Sequence, residues 1–323
     1  MTAFNILARA TPGLSADAAV ISAALAAQGH GADIYRSRSR NLDLRAWRLI
    51  LEAKRLLPGA SAPAANIFVE RIWPDWLPLA GRNFLVPNQE WCRPADIARL
   101  GTVDAILCKT RYAEDIFRRR GLPTAYIGFT SQDRWRDGAE KDHSQFLHMA
   151  GRSTQKGTSA LIKVWRAHPE WPALTVVTSV PHLARECRAE NIRSITRPLA
   201  KEDLVALQNR CGVHLCPSEA EGFGHYIGEA MSCGAIVITT DAPPMNELVT
   251  PQRGLLAAYK ETEPQSLGTN FYVDGSALEA AVERTLRLTT AERANMSRAA
   301  REWFLTNKRE FESRLPRVVA SLL

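Results

Sequence analysis

Two carboxylates bracket a glycine turn in CPSEAEGFGHYIGEAMSCGAIVITTDAPPMNELV, Cys216 to Val249. Glu221 stands directly before Gly222-Phe223-Gly224, and Glu229 follows eight positions after Glu221. The run VHLCPS reads as a strand and GHYIGEAMSCG has helical character, which puts Glu221 in the loop at the helix mouth and Glu229 on the helix itself. Eight positions span roughly 12 Å of helix, less through a loop, so the two acids cannot share one small cluster of atoms. They can hold two ends of an extended ligand. Gly222 and Gly224 let backbone amides come close to it, and the helix N-terminus just beyond carries partial positive charge suited to a phosphate. Carboxylates accept hydrogen bonds from paired hydroxyls. A nucleoside diphosphate sugar meets all three demands, with ribose at one end, hexose at the other and the diphosphate between them.

Residues at such positions need a scaffold, and the rest of the chain supplies one. Short apolar runs alternate with amphipathic stretches. FNILA, ADIY, NIFVE, RNFLV, VDAILC and TAYIGF read as strands in the first half, and FLHMA, LTVVTS, NIRSIT, VHLCPS, AIVITT and GLLAAY in the second. Helical segments lie between them, including SADAAVISAALAAQG and RYAEDIFRRRG, each closed by glycine, and GTSALIKVWRAH and KEDLVALQNRCG. Such alternation predicts an α/β chain of two Rossmann-like, doubly wound domains facing across a cleft. The polar stretch Ser131–Gln145 marks the boundary. We therefore expect an N-terminal acceptor domain over 1–138, a donor domain over 139–305, and a C-terminal helix over 306–323 that packs back on the first domain. After about residue 275 the sequence is wholly helical. Parallel sheets bind ligands at the carboxyl ends of their strands, which gives weight to Lys109, Gly151 to Lys156, Pro217 to Gly224 and Thr240 to Glu247.

Composition narrows the setting. The chain has 323 residues, 46% hydrophobic and 23% charged, with a formal net charge of +7. That is the balance of a folded globular protein. MTAFNILARA lacks the order of a secretory signal, and apolar runs such as AAVISAALAA are too short to span a bilayer. Cys92, Cys108, Cys187, Cys211, Cys216 and Cys233 show neither a CxxC pair nor zinc spacing, so they read as reduced core residues, and a cytoplasmic location follows. Positive charge is densest between Tyr35 and Leu57, where Arg36, Arg38, Arg40, Arg45, Arg48, Lys54 and Arg55 flank Trp47, Leu49, Ile50 and Leu56. This is either a core-packed helix with a solvated basic face or a patch for anionic lipid headgroups or an acidic acceptor, at the inner face of the membrane. Nucleic acid is not expected, because no aromatic-interleaved basic groove accompanies the charge.

The segment EGFGHYIGEA with its Glu-x7-Glu spacing, preceded by Pro217-Ser218 and followed by SCGAIVITTDAPPMNEL, resembles the signature of retaining GT-B glycosyltransferases of family four. HMAGRSTQKG, His148–Gly157, resembles that family's Gly-Arg … Lys-Gly loop, and NIRSITRPLAKEDL its base-binding region. ARATPGLSADAAVISAALAAQGH resembles the family's early glycine loop, although Pro12-Gly13 equally suits a plain turn.

The resemblance implies roles. Glu221 would hold hydroxyls of the donor sugar and steady positive character at the anomeric carbon, and Glu229 would bind the ribose diol. Arg152 and Lys156, beside Gly151, would stabilise the leaving diphosphate, so that the catalytic set is Glu221, Arg152 and Lys156. Arg197 and Leu199 would cover the nucleobase, amides near Gly222, Phe223 and Gly224 would touch the sugar, and Glu247 is a further donor-side candidate. His225 either contacts the donor or is a packed or capping histidine. Gly13, Asn88, Glu90 and Lys109 are the acceptor-side candidates, and Asn88, Glu90 and Trp91 either line the acceptor pocket or shape a turn. No D-x-D triplet occurs, which goes with metal-independent transfer and retained configuration, with neither metal nor cofactor. The donor is then a nucleoside diphosphate sugar and the acceptor a hydroxyl. A nucleotide-sugar epimerase on the same fold and a non-catalytic binding subunit are the rival readings.

Overall fold

The computed structural model describes residues 2–38, 42–55 and 62–323. Of the basic stretch named above, Arg40, Leu56 and the side chains of Lys54 and Arg55 lie outside the described residues. The chain divides into two compact units. One comprises 1–130, 266–268 and 307–323, and the other 131–265 and 269–306. The division after Thr130 meets the first residue of the polar stretch Ser131–Gln145.

In the first unit the elements run β1 (Ala3–Arg9), α1 (Pro12–Ala26), β2 (Gly31–Ser37), α2 (Leu42–Arg55), β3 (Ala65–Val69), β4 (Arg82–Val86), α3 (Pro94–Ile97), β5 (Ala105–Cys108), α4 (Arg111–Arg118) and β6 (Thr124–Tyr126). The strands form one parallel sheet in the order β2-β1-β3-β4-β5-β6. Every residue of β3 and β5 is buried and all but the hydrogen-bonded Asn66 are apolar, the pattern of strands covered on both faces. Leu7, Phe68, Trp76, Leu85, Ile106 and Phe117 make the centre of its core. Segment 307–323 closes over the end of this unit. Asn307 Nδ2 donates to the Phe129 carbonyl at 2.7 Å, and Phe311 meets the Phe129 ring edge-on at 5.0 Å.

The second unit continues with β7 (Asp142–Gly151), α5 (Thr158–Ala167), β8 (Leu174–Thr178), α6 (Pro181–Glu186), β9 (Ile192–Ile195), α7 (Lys201–Arg210), β10 (Cys211–Cys216), α8 (His225–Ser232), β11 (Ile236–Thr240), α9 (Met245–Leu248) and β12 (Gly254–Ala257). A hairpin, β13 (Tyr259–Gln265) and β14 (Gly268–Val273), precedes α10 (Gly275–Arg287) and α11 (Thr290–Leu322). The parallel order here is β12-β11-β10-β7-β8-β9. Phe146, Trp165, Val213, Ile236 and Leu278 sit in its core at 0% exposure, and each such burial contributes about 1.5–3 kcal/mol.

Strand order fixes where ligands can sit. In each sheet the connections run outward in both directions from one pair of strands, β1 and β3 in the first unit and β7 and β10 in the second. The crevice outside the carboxyl ends of such a pair is where open parallel sheets hold ligands. Two doubly wound α/β units are observed as expected, and the strands read from the sequence are all present. The hairpin β13–β14 was not foreseen. All six cysteines are buried and free, and burial pushes the thiols of Cys92 and Cys108 up to about 12, which keeps them protonated.

Candidate active site

The two loops that leave the switch point of the second sheet carry the motifs. After β7 the chain passes through Gly151 (φ +57°) and Arg152–Lys156 to Gly157, the residue capping α5 in the left-handed region at φ +64°. A Cβ added at Gly157 would lie 2.1 Å from the carbonyl oxygen of Pro217, so only glycine lets this loop close against the one after β10. The amide of Glu219 donates to the carbonyl of Gln155 at 3.1 Å and ties the two loops together. Beneath them His148 is fully buried. Its Nδ1 donates to the Leu215 carbonyl at 2.8 Å, so Nε2 accepts from the Thr158 hydroxyl at 2.8 Å. Burial pushes its pKa down to about 4, and the ring stays neutral as a strut rather than a base.

Glu221 lies in the loop between β10 and α8 and is only 9% exposed. Its Oε1 forms an ion pair with Lys156 Nζ and accepts from the Ser218 hydroxyl at 2.5 Å. Ser218 has one proton, which goes to the carboxylate, so the Tyr226 hydroxyl donates to Ser218 Oγ. Burial raises the Tyr226 phenol well above its ordinary value, and the proton that this bond needs stays in place. Lys156 Nζ also lies 4.2 Å from the centre of the Tyr226 ring. Carboxylate, ammonium, hydroxyl and phenol thus form one fixed cluster at the switch point.

Glu229 sits on α8, as expected from the spacing. Arg134 Nη2 pairs with its Oε1 at 2.9 Å, and Gln208 Nε2 donates to its Oε2 at 3.1 Å. Each oxygen is therefore oriented by one donor, and each keeps accepting capacity for a hydroxyl. α8 begins at Gly224, which holds φ +100° and so requires glycine, and no acidic side chain occupies its first turn. The amides at this mouth point outward from a positive helix end. Phe223 is buried and meets His225 edge-on at 5.9 Å. His225 itself is a packed residue, its Nδ1 3.2 Å from the Ser131 hydroxyl, which donates to the His225 carbonyl at 3.1 Å.

The remaining donor-side candidates are disposed differently. Arg152 and Arg197 are exposed, with no ion pair recorded for either among the described residues. Leu199 is half-buried against Leu147, Leu207 and Cys211. Gly222 is buried in the turn, and Glu247 is half-buried on α9.

In the first unit Lys109, 3% exposed, pairs with Asp17 at 3.1 Å and donates to Asn88 Oδ1 at 2.5 Å. Asn88 Nδ2 donates to Glu70 Oε2 at 2.9 Å, and Glu70 pairs with Arg71 at 3.2 Å. Glu70 and Arg71, Asn88, and Lys109 follow β3, β4 and β5, and Asp17 joins them from α1, so the carboxyl end of the first sheet carries a buried polar network. Glu70 directly follows β3 with φ +70°, a costly conformation for a side chain other than glycine. Glu90 is buried in the turn after β4 and Trp91 is exposed. Gly13 lies in the first turn of α1 rather than in a loop, and a Cβ there would meet nothing within 4 Å. Sequence reasoning missed Arg134, Gln208, Tyr226, Asp17 and Glu70. Only Arg134 carried a signal, by lying in the polar stretch after Thr130.

Two doubly wound α/β units, with acids, cations and a glycine-capped helix at the switch point of the second, define a GT-B glycosyltransferase fold. A family model described as Glycosyl transferases group 1 matches residues 130–303, more than half of the chain, and the chain belongs to that family: it is a glycosyltransferase. Similar solved structures include sucrose-phosphate synthase from Thermosynechococcus elongatus, at TM-score 0.74 and 15% identity over 100% of this chain and 99% of that one. The UDP-forming α,α-trehalose-phosphate synthase from Burkholderia vietnamiensis has TM-score 0.65 and 13% identity, covering 100% and 99%. The pneumococcal O-GlcNAc transferase solved with UDP and GlcNAc has TM-score 0.63 and 13% identity over 88% of this chain and 60% of that one. No curated protein matches the sequence. Among the described residues no group of three His, Cys, Asp or Glu side chains could hold a metal ion, and no helix is long and apolar enough to cross a membrane.

Proposed function

We propose that the protein transfers a sugar from a nucleoside diphosphate sugar to a hydroxyl acceptor with retention and without a metal. What carries the reading is the Glu221–Lys156–Ser218 cluster beside the Gly224-capped helix, at the switch point of the second sheet. The acceptor oxygen bonds to the anomeric carbon on the face from which the diphosphate departs. The bond from that carbon to the diphosphate oxygen breaks, and the acceptor's proton passes to a leaving-group oxygen. Glu221 orients the donor sugar hydroxyls and steadies the positive character of the anomeric carbon. Arg152, Lys156 and the mouth of α8 take up the charge developing on the diphosphate. Glu229 binds the ribose diol, Arg197 and Leu199 cover the base, and Glu247 supports the donor end. Lys109, Asn88, Glu90 and Gly13 belong to the acceptor side.

UDP is the first nucleotide to test, since two of the similar solved structures are described with it. The chain should bind UDP, GDP, ADP or dTDP in a thermal-shift screen. Arg152→Ala should weaken the preferred one about tenfold, the worth of one charge-assisted contact of about 1.4 kcal/mol. Unchanged affinity in that variant would remove Arg152 from the diphosphate site.

We also propose a peripheral, cytoplasmic membrane association through α2. Leu42, Leu49 and Ile50 are 62%, 60% and 43% exposed on a helix that also carries Arg45 and Arg48, the pattern of a helix lying in an anionic interface. Vesicles containing phosphatidylglycerol should sediment the protein and phosphatidylcholine vesicles should not, and Leu49→Asp with Ile50→Asp should release it. Equal sedimentation with both vesicle types would end this reading.

A further inference from the structure

We propose that the first unit carries a pocket for a phosphate group attached to a sugar-like or apolar body, built from Arg36, Arg38 and Trp47. The inference rests on the transfer reading and names the acceptor class, a phosphorylated one. A cavity of about 400 Å³ is lined by Ala10, Ile34, Arg36, Arg38, Asp43 and Trp47, a volume typical of sites for small molecules. It lies at the carboxyl ends of β1 and β2, the ligand-bearing edge of a parallel sheet.

The sequence makes this pocket by two periodicities. Alternation along β2 sends Tyr35 and Ser37 into the core, at 7% and 1% exposure, and Ile34 and Arg36 to the opposite side, where Arg38, just past the strand, joins them. Asp43 and Trp47, four apart on α2, face the same space from one helix surface. The amide of Ala10 donates to the Ser37 carbonyl at 2.8 Å and joins the two strand ends that form the floor.

Charge then decides the ligand. Both guanidinium groups are exposed, and no ion pair is recorded for either among the described residues. The single acid is already engaged, Asp43 Oδ2 accepting from the Arg38 amide at 2.8 Å and Oδ1 from the Leu44 amide at 3.2 Å. Two cations against one committed carboxylate leave the lining positive. Paired guanidinium forks suit the several oxygens of a phosphomonoester better than the two of a carboxylate. The Trp47 ring, 45% exposed and set by an edge contact with Tyr35 at 5.7 Å, offers a flat face for the body that the phosphate is attached to. A soluble sugar phosphate and a phospholipid headgroup present the same chemistry.

Calorimetry on the full chain separates these cases, with glucose 6-phosphate against glucose and phosphatidic acid vesicles against phosphatidylcholine vesicles. One phosphorylated probe is expected to bind at least about tenfold more tightly than its counterpart, and Arg36→Ala with Arg38→Ala to remove that preference. Glucose 6-phosphate as the binder assigns a soluble acceptor, and phosphatidic acid a lipid one. Because both arginines are exposed, the double variant should melt with the wild type. Trp47→Ala should weaken glucose 6-phosphate while leaving inorganic phosphate unchanged. Equal binding within both pairs, or full preference in the double variant, overturns the proposal. UDP binding in the same samples keeps the two readings apart. Its absence from the wild type strikes the transfer reading and with it the acceptor role, leaving phosphate binding at this pocket to its own test, and its survival in the double variant beside a lost phosphate preference locates that preference in the first unit.

Discussion

Replacing Glu221 by alanine is expected to lower kcat for transfer by about 10²–10³-fold, the usual cost of removing a group that acts on charge developing in the transition state. Three contacts motivate the size of the effect: the Lys156 ion pair, the Ser218 hydrogen bond and, through Ser218, the Tyr226 phenol. All three hold the carboxylate in one orientation, so in the proposed transfer its charge would act on the anomeric carbon with no reorganisation during the reaction. The substitution also strips Lys156 of its counter-ion, but that side chain is 19% exposed and water can serve it in part. Stability should therefore fall by about 1–3 kcal/mol without loss of the fold. Glu221→Gln keeps the shape and an acceptor for Ser218 while removing the charge. If charge is what matters, it should fail as badly as alanine while melting closer to the wild type. Turnover near the wild-type value in either folded variant would take Glu221 out of the mechanism.

Much of this was legible in the sequence, for reasons that also explain what was not. Strands such as NIFVE and AIVITT announce themselves because a strand buried on both faces must be largely apolar, as β3 and β11 are, each buried at all five positions with Asn66, Thr239 and Thr240 as the polar members, all hydrogen-bonded. Glycines at 157 and 224 were visible as breaks, and the structure gives their cause in a close approach and a left-handed backbone. The hairpin left no such trace. β13, YKETEPQ, is exposed at six of its seven positions and contains Pro264, so it has neither alternation nor an apolar run to read. Partnerships across long chain distances were equally silent. Arg134 and Glu229 are 95 residues apart, and Lys109 and Asp17 are 92 apart. The residue types fix that each charge needs a partner when buried, but only the topology fixes which one. Glu70 is a third case, since nothing in NIFVERIW marks a glutamate that holds φ +70°. In the second unit a motif with known spacing guided the reading to Glu221 and Glu229, yet the pairing of Arg134 and the supporting Gln208 and Tyr226 stayed as silent as Asp17 and Glu70 in the first.

Lys156 decides whether the same cluster also grips the diphosphate. Its ammonium is held between the Glu221 carboxylate and the face of Tyr226, in the loop that leads into the Gly157 cap of α5. A bound diphosphate would compete for it with two or more oxygens of higher charge. The side chain is long enough to serve both in turn, as a mobile point charge rather than a fixed fork. Lys156→Met keeps a flexible, unbranched side chain beside Tyr226 and deletes the charge that lies over its ring. It should weaken the preferred nucleoside diphosphate by about 10–100-fold, equivalent to about 1.4–2.8 kcal/mol, while binding of the corresponding nucleoside stays the same. kcat should fall as well, because Glu221 loses its partner and the leaving group loses a cation. Lys156→Arg should recover part of the binding but less of the turnover, since a planar fork cannot occupy the position over the ring and reach the diphosphate in the same way. A Lys156→Met protein that binds nucleoside diphosphate like the wild type and has lost only stability would restrict this lysine to neutralising Glu221. The charge on the leaving group would then rest on Arg152 and the mouth of α8.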